Sequence, residues 1–143
     1  MRITLVALSA GFGLMLAAAP VSGHHAFAAE FDSTKPIKLR GTVTKMEWIN
    51  PHTWIHIEVK QPNGAVERWA IEGGPPNALF RRGFTRDSLP TGVEIVVEGF
   101  RAKDGSRKGN GRDLTFADGR RLFLGSSGTG APVDGRDATE TRR

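Results

Sequence analysis

The feature that most constrains this chain is a period-two apolar alternation, repeated between turn residues, in a sequence with no cysteine. Ile37, Leu39, Gly41 and Val43 fall on one parity; so do Ile55, Ile57 and Val59, then Trp69 and Ile71, then Val93, Ile95 and Val97. Successive side chains of a strand point to opposite faces, so each run predicts a strand with one buried face. Asn50-Pro51 separates the first two runs as a turn. Pro62-Asn63-Gly64 reads as a hairpin turn, because Asn and Gly accept the positive φ that such turns need. Gly41 breaks its side-chain row and marks a candidate bulge or bend. A last hairpin is expected from 114–116 and 121–124, across Asp118-Gly119. The polar, Gly-rich stretch 103–112 reads as a loop, and 24–35 as a short mixed lead-in that Pro36 ends.

Between the third and fourth strands, Gly73-Gly74-Pro75-Pro76 stops the sheet. Asn77 can cap a short helix over 78–82, and Gly83 would end it. Three strands, a short helix, then two or three more strands predict an all-β domain, a small OB-like closed barrel of five to six strands. An open sandwich is the alternative; closure is attractive because it removes exposed edges.

Residues 1–23 have the three parts of a secretory signal: Arg2, an apolar run from Ile3 to Ala19, and small side chains at Val21 and Gly23. The run falls short of the roughly 20 apolar residues that span a bilayer, so contact with the membrane is expected only in transit. Cleavage after Gly23 leaves residues 24–143, with 24–127 as the β domain and 128–143 as a Gly/Ser/Thr/Arg-rich disordered tail. Losing Arg2 lowers the formal charge from +5 to +4. Export to the periplasm argues against a nucleic-acid partner, and without cysteine the domain has neither disulfides nor thiol chemistry.

The four histidines, His24, His25, His52 and His56, all follow the expected cut. His24 would become the N-terminal residue, whose amine (pKa about 7.7–8.0) and ring Nδ1 can chelate one ion. Such nitrogen donors suit Cu(II). On a straight strand His52 and His56 would lie about 13–14 Å apart, so both cannot hold one ion unless the chain turns sharply between them. His52, beside the turn, is the better partner for His24. Trp48, Trp54 and Trp69 are either core residues or a stacking platform. Arg81, Arg82 and Arg86, with Lys103, Arg107 and Lys108, form a basic patch that could meet anionic headgroups or phosphate. No hydrolase constellation, phosphate loop or dinucleotide fingerprint occurs, so no catalytic residues are expected.

His24-His25-Ala26-Phe27-Ala28-Ala29-Glu30-Phe31-Asp32 resembles the mature start of an uncharacterised family of small exported proteins of Gram-negative bacteria, with an HHSFAAEFD opening. Ala26 stands where that opening has serine, which removes a hydroxyl beside the histidines. Leu39-Arg40-Gly41-Thr42-Val43, Trp48 and Asn50-Pro51-His52-Thr53-Trp54 resemble its central signature, and blocks as far as Ser127 resemble later ones. The resemblance implies a periplasmic β domain and no mechanism. The leading expectation is therefore a periplasmic domain that binds a small ligand or a metal, with copper at the processed terminus. The competing class is a structural or interaction module that engages an envelope protein or the membrane surface and holds no metal. N-terminal sequencing of exported protein should begin at His24; any other start removes the terminal chelate.

Overall fold

The computed structural model describes residues 27–125. The expected signal segment, His24, His25 and the expected tail lie outside the described residues. Among those described, the chain runs α1 (Phe27–Glu30), β1 (Phe31–Glu47), β2 (Trp54–Lys60), β3 (Val66–Glu72), α2 (Pro76–Arg81), β4 (Glu94–Ala102), β5 (Lys108–Phe116) and β6 (Arg121–Phe123). The protein is mainly β, with α2 between β3 and β4 as expected. A single helical turn, α1, also precedes the sheet.

All six strands belong to one sheet of order β3-β2-β1-β4-β5-β6, and β3 also pairs with β5. That last pairing is parallel, from Ala70↔Lys108 to Glu72↔Asn110. It brings the first five strands round into a ring-like arrangement, with β6 added outside β5. The alternation fills the inside: Val43, Ile55, Ile57, Ile71, Ile95, Val97 and Leu114 are at most 1% exposed. Trp69 joins this core at 5% exposure, whereas Trp54, on the opposite parity of β2, and Trp48, just past β1, are half-buried. Trp69 and Trp54 therefore face opposite sides of the sheet, and no single three-tryptophan platform forms.

Three expectations need correction. Pro36 does not end the lead-in, because β1 begins at Phe31. Proline lacks a ladder donor and is tolerated at irregular positions; the β1–β4 register shifts between Asp32 and Pro36. Gly41 is not the bulge, which lies between Val43 and Lys45. Its Cβ would stand 2.9 Å from the Glu58 carbonyl, so glycine is needed there for close approach. Residues 108–112 are not loop: they form the start of β5, and Gly109, Asn110, Gly111 and Arg112 are buried. The glycines let β5 lie tight against its neighbours, since a Cβ on Gly111 would meet Leu124 at 2.6 Å and Ile71 at 2.7 Å.

The helix also starts earlier than expected. Pro75 occupies the cap position and Pro76 opens α2, where a missing N–H costs nothing. Asn77 thus lies inside the helix. Gly83, at φ 79°, follows its end.

Packing around Gly99 is tighter still: an added Cβ would run into the Asn110 carbonyl of β5. Gly99→Ala should cost about 2–3 kcal/mol, within the range for overpacking. Thermal unfolding should show a fall of roughly 10–20 °C; an unchanged melting temperature would mean that β4 and β5 are not this close.

Candidate functional site

One corner of the ring buries polar groups that packing alone does not require. It forms where the turn before β2 meets the end of β3. Thr53 is fully buried and laces the two together. Its N–H and its Oγ1 hydroxyl both donate to the Gly74 carbonyl, at 3.2 Å and 2.9 Å, and its own carbonyl accepts from Gly73 N–H at 2.9 Å. A Cβ on Gly73 would stand 2.6 Å from Thr53 Oγ1, so the Gly-Gly pair is what lets the two segments meet.

This lacing presses His52 into the interior at 6% exposure. Its Nδ1 lies 3.3 Å from the Gly73 carbonyl and 3.5 Å from Glu72 Oε1. A carbonyl can only accept, so Nδ1 carries the proton and donates. Glu72 is 3% exposed, and its Oε2 is buried with no hydrogen-bond partner. Burial, followed by the charge of Glu30, raises the Glu72 carboxyl to about 7, against a hydrogen bond from Asn110 that lowers it. Asn110 is the residue that pairs with Glu72 across the parallel ladder.

Glu30 brings the N-terminal segment into the description. It ends α1, and its carbonyl accepts from Lys103 N–H at 2.8 Å. Phe27, at the other end of the same turn, packs edge-on to Phe100 with ring centroids 5.5 Å apart. The start of the described chain is thus pinned at the sheet, close enough for Glu30 to act on Glu72.

His56 belongs elsewhere. It points outward from β2, half-buried, with Nε2 3.3 Å from Glu47 Oε1. The structure therefore separates His52, in the polar corner, from His56, in a surface pair. His24 and His25 lie outside the described residues. Among the described residues no group of three His, Cys, Asp or Glu side chains is placed to hold a metal ion. Sequence reasoning missed Glu72, Asn110 and Glu30. The one available signal was a carboxylate at a strand end directly before Gly-Gly, a place where backbones approach closely.

A family of unknown function, DUF6152, matches residues 13–112. The chain belongs to this family. The DUF6152 match takes in all four histidines, Glu30, Glu72 and Asn110, and stops within β5. No curated protein and no solved structure matches the chain.

The Glu72 value has a measurable consequence. Its carboxyl rises from an ordinary 4.5 to about 7 in the folded protein, so the native state holds this proton more tightly than the unfolded chain. The stability this confers is complete below about pH 4.5 and is lost as pH rises through about 7. Thermal melts of the wild type between about pH 5 and pH 8 should show its stability falling relative to Glu72→Gln, which cannot titrate. Parallel profiles would refute the buried acid.

Proposed function

We propose that this protein is an exported, periplasmic binding domain with an OB-like closed barrel, which takes a small ligand or a metal at the His52 corner, and that Cu(II) held by the processed N-terminus is its most specific form. The barrel reading is supported by the pairing order: β1 between β2 and β4, and β3 closed onto β5 in parallel. Small barrels of this kind bind ligands at one face and its bordering loops.

The observation that carries the binding site is the setting of His52. Metal-bound histidines characteristically donate their second ring N–H to a carbonyl or carboxylate, which fixes the ring and raises its basicity. Here Nδ1 meets both, the Gly73 carbonyl and Glu72, so a metal would take Nε2. The remaining donors would be the amine and Nδ1 of His24. From Phe27 back to His24 the chain can reach about 10 Å, and α1 is fixed where Glu30 acts on Glu72. Glu72 would lose its proton as the cation binds, since a nearby positive charge favours the carboxylate.

A second reading, as an interaction module without metal, has its own observation: Phe80 on α2 is 66% exposed beside the exposed Arg81. Copper titration separates the two. Correctly processed protein should bind one Cu(II) per chain, read by its electron paramagnetic resonance spectrum. A form extended by one residue should lose amine chelation while keeping its fold. His52→Ala should weaken binding at least about tenfold, and Glu72→Gln by about 10–100-fold; His56→Ala should have little effect. Binding should fade below about pH 6 as protons compete for the nitrogens. Equal affinity in processed and extended protein would overturn the terminal site.

A further inference from the structure

A cavity of about 520 Å³ opens between the segment after α2 and the β5–β6 hairpin, and it shares no lining residue with the His52 corner. Arg82, Arg120 and Arg121 line it together with Ser88, Phe84 and Phe116, and among the described residues no acidic side chain is in its walls. We propose that this cavity binds a small organic anion: a carboxylate or phosphate ester that carries a flat apolar group.

The arginines are arranged rather than merely concentrated. Arg82 Nη1 donates to the Gly125 carbonyl at 2.7 Å, and its guanidinium sits 4.8 Å from the centre of the Phe123 ring. That fixes its position before any ligand arrives. Arg120 stacks 4.7 Å over Phe116, and its Nε donates to Asp118 Oδ2 at 2.7 Å. Asp118 thus takes the inner N–H, and the terminal –NH₂ groups that form the fork remain to meet an anion. Arg121 Nη2 lies 3.8 Å from both Glu98 Oε2 and Asp113 Oδ1. At that distance the carboxylates attract it without forming a hydrogen bond, so its donors are not consumed by these two.

The walls set the rest of the ligand. Phe84 is buried and braced by Trp48, at a centroid separation of 6.2 Å. Over it, the half-buried Phe116 and Leu122 present apolar surface at the cavity wall that a bare inorganic ion would leave uncovered. The volume lies within the roughly 300–1,000 Å³ typical of small-molecule sites. Guanidinium forks match planar carboxylates and phosphate esters alike, so the shared chemistry is an anionic head on an apolar body. The exposed Arg81 and Arg86 lie outside the lining.

The test is calorimetric titration of the processed, chelator-washed protein, so that copper binding and its failure stay separate. Phenyl phosphate and benzoate should each saturate one site. Phenyl phosphate should bind at least about tenfold tighter than inorganic phosphate, a difference of about 1.4 kcal/mol, and benzyl alcohol should show no saturable binding. Arg120→Ala and Arg121→Ala should each weaken phenyl phosphate about fivefold or more, whereas Arg86→Ala should leave it unchanged. Arg120 and Arg121 are exposed, and melting curves on the same samples verify folding; Arg121→Lys, which keeps charge but loses the fork, should also weaken binding. The proposal is overturned if neither organic anion saturates by about 10 mM, if the arginine variants bind like wild type, or if the protein responds only to vesicles of phosphatidylglycerol.

Discussion

The parallel contact between β3 and β5 is the constraint on which the rest of the structure depends. With no cysteine, this small domain is held by packing alone, and the turn from a strip of strands into a ring brings its ends together. Only three residue pairs make the join, from Ala70↔Lys108 to Glu72↔Asn110. They lie close because Gly109 and Gly111 present no side chains to Ile37, Ile71 and Leu124, each of which a Cβ would crowd. A glycine inside a strand costs conformational entropy. Here that cost is offset by the burial of most of β5 and the closure of a vulnerable edge.

The same join creates the polar corner. Glu72 and Asn110 are the last pair of the parallel ladder, so closing the ring is what buries the carboxylate. The Gly73-Gly74 pair immediately after Glu72 receives the Thr53 lacing, and that lacing carries His52 inward. Ring closure and the assembly of the His52–Glu72 pair are therefore one structural event. A residue that loosened the join would expose both groups at once.

This explains what could and could not be read from the residues. β2 and β3 were legible because Ile55, Ile57, Val59, Trp69 and Ile71 alternate cleanly and each apolar side chain has one face to bury. The short helix and the β5–β6 hairpin were legible from Gly83 and Asp118-Gly119, where glycine does serve a turn. The start of β5 was not, because the same residue type there serves close packing, and composition does not distinguish the two uses. The opening of β1 was obscured by Pro36, which sits at a register irregularity instead of ending an element. Of the site, only His52 was singled out beforehand, from its place beside a turn. Glu72 was invisible because a carboxylate at a strand end reads as exposed; its burial comes from a long-range pairing with Asn110 that no local pattern encodes.

The pairing has an energetic implication for how the corner should be understood. Taking a carboxylate and an imidazole out of water carries a penalty that their mutual attraction repays only in part, and well-packed apolar side chains of similar volume would often serve stability as well or better. In a domain with no disulfide to draw on, that penalty falls on a small total. One oxygen of Glu72 is buried without a hydrogen bond, so the corner is not even a fully satisfied polar network of the kind that rigidifies a core. Packing alone gives no reason for such an arrangement, and the proposed binding role would supply one. A cation near His52 would draw the proton from Glu72 and convert an unsatisfied neutral acid into a charge-assisted acceptor for Nδ1–H. The cost carried by the corner would then be recovered on binding, which favours the proposed reading of the His52–Glu72 pair as a device for holding a ligand over one for holding the fold.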